Sequence, residues 1–201
     1  MNILITALVV ANLQLVVRIY DSVGVSPVEL DRARASVGAI LASAGIDSIW
    51  RPCHASGCTG PVKPHEVVLR VVRSTPRSAK DSLGFSVIDV SQGGGSLGTI
   101  YEDRIRALAA QGDVYEGELL GRAMAHEIGH MLIGTNGHSR LGLMRALWVT
   151  SELQRGLPSD WVFSGREGTQ LRGRLAARTH PVPAAEAILA VLGSGDSECM
   201  E

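Results

Sequence analysis

The segment from His126 to His130 reads His-Glu-Ile-Gly-His, which places two histidines four positions apart with a glutamate directly after the first. Apolar residues before it recur at helical spacing, so we expect a helix from about Glu116 to Leu132. On a helix, residues four apart lie on one face, with Cβ atoms about 5–6 Å apart. The two imidazoles can therefore converge on one Zn²⁺ at about 2.0–2.1 Å.

Glu127 is rotated around this helix from both histidines, toward the open side of such a metal. It can take a proton from a water molecule at the metal without occupying a ligand position. Zinc lowers the pKa of that water toward about 7, so a carboxylate is a sufficient base. The pattern predicts a metal-dependent hydrolase with Glu127 as general base.

A catalytic zinc site takes three protein ligands and leaves one position open, so a third ligand must follow the helix. Gly134 can adopt the left-handed conformation that ends a helix. A second turn after it would bring His138 back to the metal. Glu152, twenty-two residues after His130, is the competing candidate, on a segment that could be helical.

The segment from Ala125 to Ala146 resembles the metzincin clan of zinc peptidases, and within it the matrixins. The family's motif is His-Glu-x-x-His-x-x-Gly-x-x-His, followed by a tight turn that contains a methionine beneath the metal. This chain has the helix pair, a glycine, a third histidine followed by Ser139, and then Met144. On this resemblance, Met144 is the Met-turn residue.

The resemblance implies that His126, His130 and His138 hold one catalytic Zn²⁺ and that Glu127 is the base in the hydrolysis of a peptide or protein substrate. Glu152 is the alternative ligand, because a glutamate on a later helix completes the site in gluzincins, the other large group with this motif. Two further alternatives are a zinc-binding module without proteolysis and a metal-free domain with an accidental motif.

The chain departs from the matrixin pattern in the spacing of its motif. The glycine falls four residues after His130 instead of three, and the third histidine falls eight residues after it instead of six. The two extra residues must bulge if His138 is to reach the metal. Ala146 stands where the family often has a tyrosine. Arg145 is a candidate donor to a transition-state oxyanion, although a solvated charge is its more ordinary interpretation.

Short apolar runs bounded by turn residues predict the elements that must position these groups. We expect strands at 15–20, 46–50, 66–72, 84–90 and 99–102, a turn at 93–95, and helices at 27–44, 116–132 and 168–177. This order predicts an α/β (α+β) fold, a twisted mixed sheet of about five strands with a C-terminal helical subdomain. The first strand–helix–strand unit should be a parallel crossover.

We expect one catalytic domain over 1–201. The sheet and active-site helix occupy 15–132, and the third ligand, Met-turn and last helix occupy 133–180. A tail follows at 181–201. Residues 1–12 are either the lead-in to the first strand or the remnant of a signal peptide.

The net charge and the cysteines of the chain indicate which partners and which cellular compartment to expect. The formal charge is −1, from 19 basic and 20 acidic side chains, so no basic field predicts a nucleic-acid partner. The apolar start is too short and too broken for a stable membrane span. Cys53 and Cys58 are close enough for a disulfide in an exported protein, with two free thiols as the alternative. We expect a secreted or periplasmic protein, with the cytoplasm as the alternative, and no oligomeric state is indicated.

Overall fold

The computed structural model describes residues 13–53, 57–75, 82–89, 91 and 93–179. The lead-in or signal expected at 1–12 and the tail expected at 181–201 lie outside the described residues. In the described part of the chain, no helix is both long enough and apolar enough to cross a bilayer.

A mixed five-stranded sheet forms the centre of the fold, as the sequence predicts. The elements in chain order are β1 (Leu13–Asp21), α1 (Pro27–Ser43), β2 (Ile46–Pro52), β3 (Glu66–Val72), β4 (Gly84–Asp89), β5 (Gly94–Tyr101), α2 (Glu102–Gly112), α3 (Glu116–Ile133), α4 (Thr150–Arg155), a short 3₁₀ helix (Pro158–Trp161) and α5 (Gly165–Thr179). The strand order is β2-β1-β3-β5-β4. Four strands are parallel, and β4 pairs antiparallel with β5 at one edge.

Helix α1 connects the parallel strands β1 and β2, which confirms the predicted parallel strand–helix–strand unit. Its start follows from local chemistry, because Ser26 Oγ accepts a hydrogen bond from the backbone N–H of Glu29 and Pro27 occupies the first turn. One apolar stripe of α1 is buried, formed by Ala33, Val37, Ile40 and Leu41.

Helix α3 is buried on nearly all sides, from Leu119 to Leu132, which is typical of a helix in the core of a domain. It packs between the sheet and its neighbouring helices. The helix ends at Gly134, whose φ of 78° confirms the predicted left-handed residue. A Cβ at Gly134 would stand 2.2 Å from the carbonyl oxygen of Gly93, so the position also requires glycine for space.

The expected turn at 93–95 is wrong in part, because Gly94 and Gly95 belong to β5. The fifth strand therefore starts five residues earlier than the expected 99–102. Glycine is present here because β5 lies very close to β4. A Cβ at Gly95 would lie 2.2 Å from the carbonyl oxygen of Val87 on β4. Glycine in this stretch serves a strand contact as well as a turn.

Helix α2 is a second difference, because the sequence interpretation places no helix there and assigns Glu102 to a strand. The helix begins at Glu102, directly after β5. Tyr101 precedes it without a side-chain cap, so the usual sequence signal of a helix start is missing. The stripe that α2 buries is narrow and includes Ile105 and Ala109.

The loop between β2 and β3 is fastened by a disulfide and a buried ion pair. Cys53 and Cys58 are joined, with Cα atoms 5.5 Å apart. The guanidinium of Arg18, on β1, is buried against the carboxylate of Glu66 and donates to the carbonyl oxygens of Gly60 and Pro61. These contacts tie the loop to the sheet.

Candidate metal centre

Two histidines on consecutive turns of α3 are each oriented by a backbone carbonyl. His126 Nδ1 lies 2.9 Å from the carbonyl oxygen of Leu143, and His130 Nδ1 lies 2.7 Å from that of Thr135. Both bonds use the ring nitrogen that faces away from the partner histidine. The two Nε2 atoms therefore face each other, 2.9 Å apart.

His138 joins this pair from the loop after α3. Its ring centroid lies 5.4 Å from that of His126 and 4.9 Å from that of His130. One ligand atom from each of the three residues can be chosen so that all lie within 4.8 Å of one another, and His138 is the exposed member. The structure therefore brings together the three histidines that the sequence proposes as ligands.

The longer spacing of this motif is accommodated at Thr135. The chain turns at Gly134, and the carbonyl of Thr135 then accepts from His130. The hydroxyl oxygen of Thr135 accepts a hydrogen bond from the N–H of Gly137 at 3.0 Å, directly before His138. The extra residues thus form a small turn that supports one ligand and positions another.

The donor chemistry of the histidine pair fits a cation. Burial lowers the pKa of His126 to about 4, with the charge of His130 adding to the effect, and burial also lowers the pKa of His130. Both rings are therefore neutral near pH 7, and the carbonyl contacts put the single proton of each on Nδ1. The two Nε2 atoms then carry no proton, and their lone pairs repel each other. A Zn²⁺ bound to both would remove this repulsion, with the two nitrogens about 3.3 Å apart.

Glu127 lies beneath the edge strand β4. Its Oε2 accepts a hydrogen bond from Ser86 Oγ at 2.7 Å. A Cβ at Gly84 would stand 3.1 Å from Oε1, so the strand approaches both oxygens. Burial raises the pKa of Glu127 to about 7, although the bond from Ser86 opposes the rise. A carboxylate with a pKa near 7 can both accept and return a proton at neutral pH.

Met144 packs directly under α3 and is 2% exposed. A Cβ at Gly129 would lie 2.5 Å from Met144 Sδ and 2.8 Å from Phe163 Cε1, so only glycine allows this approach. The carbonyl of Met144 accepts from the N–H of Ser139 at 2.8 Å, which ties this turn to the residue after His138. Met144 thus contacts α3 at the residue directly before His130, and its role as the Met-turn residue stays a prediction.

A cavity of about 830 Å³ contains the cluster and Glu127. It is bounded by α3, the start of β4, one face of α2, and the loops that include Asn136 and 145–148. Trp148 also lines it, and the indole ring stands edge-on to His126 with ring centroids 5.7 Å apart.

The interpretation of Arg145 as a solvated charge is wrong, because the side chain is 6% exposed. Its Nη1 donates to the carbonyl oxygens of Gly142 and Asp160, both at 2.6 Å, and its Nε donates to Glu152 Oε2 at 3.1 Å. Glu152 also accepts from the backbone N–H of Val149. Its carboxylate is thus used in fastening the start of α4, and it lies outside the histidine group among the described residues.

Comparison with known proteins gives similarity at the level of structure. The chain superimposes on the crystal structure of archaemetzincin from Methanopyrus kandleri with a TM-score of 0.51. The match covers 82% of this chain and 96% of that one, at 15% sequence identity. The fold is metzincin-like. No protein-family model matches the sequence, and a search of curated proteins finds no similar sequence.

Ser86 and two backbone carbonyls are parts of the site that sequence reasoning missed. The carbonyls of Leu143 and Thr135 carry no signature in the sequence, because any residue supplies one. Ser86 was missed because Phe85 and Val87, its apolar neighbours on β4, are the residues that a sequence pattern would place inward. In the structure Phe85, Val87 and Asp89 are exposed, and Ser86 therefore faces inward.

Proposed function

We propose that this protein is a zinc-dependent metallopeptidase of the metzincin type, acting as a single catalytic domain on a peptide or protein substrate. His126, His130 and His138 are its metal ligands, and Glu127 is its general base. The observation that carries the proposal is the convergence of three histidines within 4.8 Å, beside a buried carboxylate. The metzincin-like fold supports it.

The three histidines would hold one Zn²⁺, since imidazole nitrogens are favoured zinc ligands and one ring nitrogen from each histidine lies within 4.8 Å of the others. When bound, the ion supplies Lewis acidity for the attacking water and for the peptide carbonyl. Glu127 accepts the proton of that water on its carboxylate and returns it to the leaving amine. Ser86 holds the carboxylate in orientation through Oε2.

The edge strand β4 supports a mode of substrate binding. It lies beside the cavity, and the side of its backbone away from β5 has no neighbouring strand in the described sheet. An extended peptide can add to such an edge by backbone hydrogen bonds. Phe85 and Val87, which are exposed on β4, would contact side chains of that peptide.

We also propose that the protein works in an oxidising compartment, outside the cell or in the periplasm. The disulfide between Cys53 and Cys58 supports this location, because such bonds persist where thiols are not kept reduced.

Elemental analysis of zinc in the wild type and in His138→Ala is the first test. We expect one zinc per chain in the wild type and much less in the variant. Zinc retained in the variant would remove His138 as a ligand and move the third position to Glu152. A wild type that takes up no zinc after reconstitution would contradict the enzyme proposal.

Peptide cleavage by the zinc-loaded protein is the second test, with Glu127→Gln as the control. We expect the substitution to abolish cleavage and to leave zinc content unchanged. A zinc-binding module without proteolysis would bind zinc equally in both forms and cleave no peptide in either.

A further inference from the structure

The oxygen of the cleaved peptide carbonyl needs a hydrogen-bond donor in the proposed reaction. Negative charge develops on this oxygen as water adds to the carbonyl carbon, and a positioned donor stabilises that charge. Neither position that the sequence suggests for a donor supplies one. Ala146 has no polar side-chain atom. Arg145 gives its Nε and Nη1 to Glu152 and two backbone carbonyls, and its remaining nitrogen, Nη2, is shielded from solvent.

Two carboxamides remain as donors among the polar side chains of the cavity lining. The hydroxyls and the second guanidinium of the lining already donate within the protein: Ser86 to Glu127, Ser82 to the carbonyl of Gly84, and Arg104 to the carbonyl of Ser82. The indole nitrogen of Trp148 is shielded from solvent. Gln111 and Asn136 are exposed, and in the described part of the chain their carboxamides make no hydrogen bond.

Asn136 lies between two of the proposed metal ligands along the chain. The carbonyl oxygen of Thr135, directly before it, lies 2.7 Å from His130 Nδ1. His138 follows two residues later, at most about 7 Å of backbone away. Thr135 Oγ1 accepts a hydrogen bond from the N–H of Gly137 at 3.0 Å, so the chain is held on both sides of Asn136. The loop therefore presents this carboxamide at the edge of the histidine cluster.

Gln111 lacks such a connection to the ligands. It belongs to α2, which carries none of the residues proposed to hold the metal. The two side chains offer the same chemistry, since each carboxamide has two N–H donors and no charge. Their difference in position makes Asn136 the candidate donor and Gln111 a matched control.

We propose that the carboxamide of Asn136 donates a hydrogen bond to the carbonyl oxygen of the cleaved bond as that oxygen becomes negative. This inference rests on the proposed peptidase function. Water adds to the carbonyl carbon and gives its proton to Glu127. The C–N bond then breaks, and the leaving amine takes that proton. Because the hydrogen bond is strongest while the oxygen is charged, it lowers the barrier more than it improves substrate binding. The longer loop of this motif thus supplies the donor that Ala146 lacks.

Steady-state kinetics on zinc-loaded Asn136→Ala and Asn136→Asp test the donor. Aspartate keeps the size of asparagine and its preference for turns, and it removes the N–H groups. Both variants should lower kcat about ten- to hundred-fold with KM and zinc content unchanged, as expected for the loss of one hydrogen bond to a charged group. Gln111→Ala should leave kcat unchanged.

A phosphinic peptide gives a readout that does not require cleavage. In this probe a tetrahedral PO₂⁻ group, with alanine on both sides, replaces the cleaved bond. Calorimetry compares its affinity with that of the amide peptide of the same sequence, on zinc-loaded Glu127→Gln protein so that the amide stays uncut. Adding Asn136→Ala should weaken the phosphinic peptide about ten- to hundred-fold and the amide peptide by less than about twofold.

Equal weakening of the two peptides would overturn the inference, as would loss of zinc in either Asn136 variant, because Asn136 would then only shape the loop. Equal loss of kcat in Gln111→Ala would also overturn it, as would a phosphinic peptide that binds with and without Asn136 alike or does not bind at all. If the wild type cleaves no peptide while Asn136→Ala selectively weakens the phosphinic peptide, the peptidase proposal fails and the donor role stands. The two proposals therefore fail separately.

Discussion

Ser86 Oγ lies 2.7 Å from Glu127 Oε2 and joins the edge strand β4 to the helix that carries the histidine pair. Ser86 is at an inward-facing position of β4, and Gly84, two residues earlier, comes close to the other oxygen of the same carboxylate. The strand that is proposed to bind the substrate backbone therefore also orients the carboxylate that is proposed as the base. A shift of β4 would misplace both together.

Ser86→Ala should lower kcat about ten- to hundred-fold while KM and zinc content stay unchanged. A hydrogen bond to a charged group contributes about 1.5–3 kcal/mol, which corresponds to that range. Ser86→Thr keeps the hydroxyl and should restore most of the activity. Steady-state kinetics on zinc-loaded protein, together with zinc analysis, measures both effects.

Ser91→Ala is the matched control, since Ser91 is exposed and its hydroxyl bonds to Asp89 instead. It should leave kcat unchanged. If Ser86→Ala raised KM or lost zinc with kcat intact, Ser86 would be a substrate or ligand contact and its role in orienting Glu127 would be refuted.

Gly129→Ala should destabilise the protein by about 1–3 kcal/mol, the usual cost of inserting a methyl group into a packed core. The new Cβ would meet Met144 Sδ at 2.5 Å and Phe163 Cε1 at 2.8 Å. Gly173→Ala on α5 is the control, because no atom stands within 4 Å of its added Cβ. The control should stabilise by up to about 1 kcal/mol through helix propensity. Urea unfolding of both variants gives the comparison, and equal effects would show that Met144 does not press on α3.

Glu66→Gln should destabilise the protein by about 3–5 kcal/mol at pH 7, because it leaves the buried charge of Arg18 without its partner. Burial opposes ionisation of Glu66, yet hydrogen bonds from the N–H of Lys63 and from Arg18, with the charge of Arg51, outweigh it and lower the pKa below 4.5. A carboxyl whose pKa is lowered by folding stabilises above its unfolded pKa, and this stability is lost as pH falls through the folded pKa.

The difference between wild type and Glu66→Gln should therefore be full at pH 7 and shrink progressively below pH 4.5. Denaturant unfolding at several pH values measures it. Asp31→Asn is the control, because Asp31 is 76% exposed in a surface pair and should change stability by less than about 1 kcal/mol at either pH. A difference that did not depend on pH would contradict the charged state assigned to Glu66.

The features that the sequence predicts correctly are those set by local backbone and side-chain preferences. Helix periodicity gave α3, and the four-residue spacing of His126 and His130 gave the ligand pair on one of its faces. The end of the helix at Gly134 was predictable because a helix often ends in a left-handed residue, and that conformation favours glycine. The strand β3 matched the expected range, since β-branched residues bounded by turns are typical of a buried strand.

The parts that escaped prediction depend on tertiary contacts. Helix α2 lacks a cap and follows β5 without a turn residue, so only packing shows where it begins. Arg145 looks like a surface charge in sequence, and its burial depends on carbonyls of Gly142 and Asp160 that folding brings to it. How the elongated loop reaches the cluster depends on the bond between Thr135 and His130.

Removal of zinc should leave the protein folded and less stable. The apolar core is built around the sheet, α1 and α3 and does not depend on the histidines for its burial. Free zinc at about 100 times its dissociation constant adds about 2.7 kcal/mol to the free energy of unfolding. For a chain of this length, that raises Tm by about 5–10 °C.

Scanning calorimetry with EDTA, and then with zinc restored, measures this shift in Tm. Mg²⁺ should not reproduce the shift, because imidazole is a poor ligand for that ion. His138→Ala should reduce the zinc-dependent rise, whereas a rise of equal size in that variant would show that the third histidine does not bind the metal.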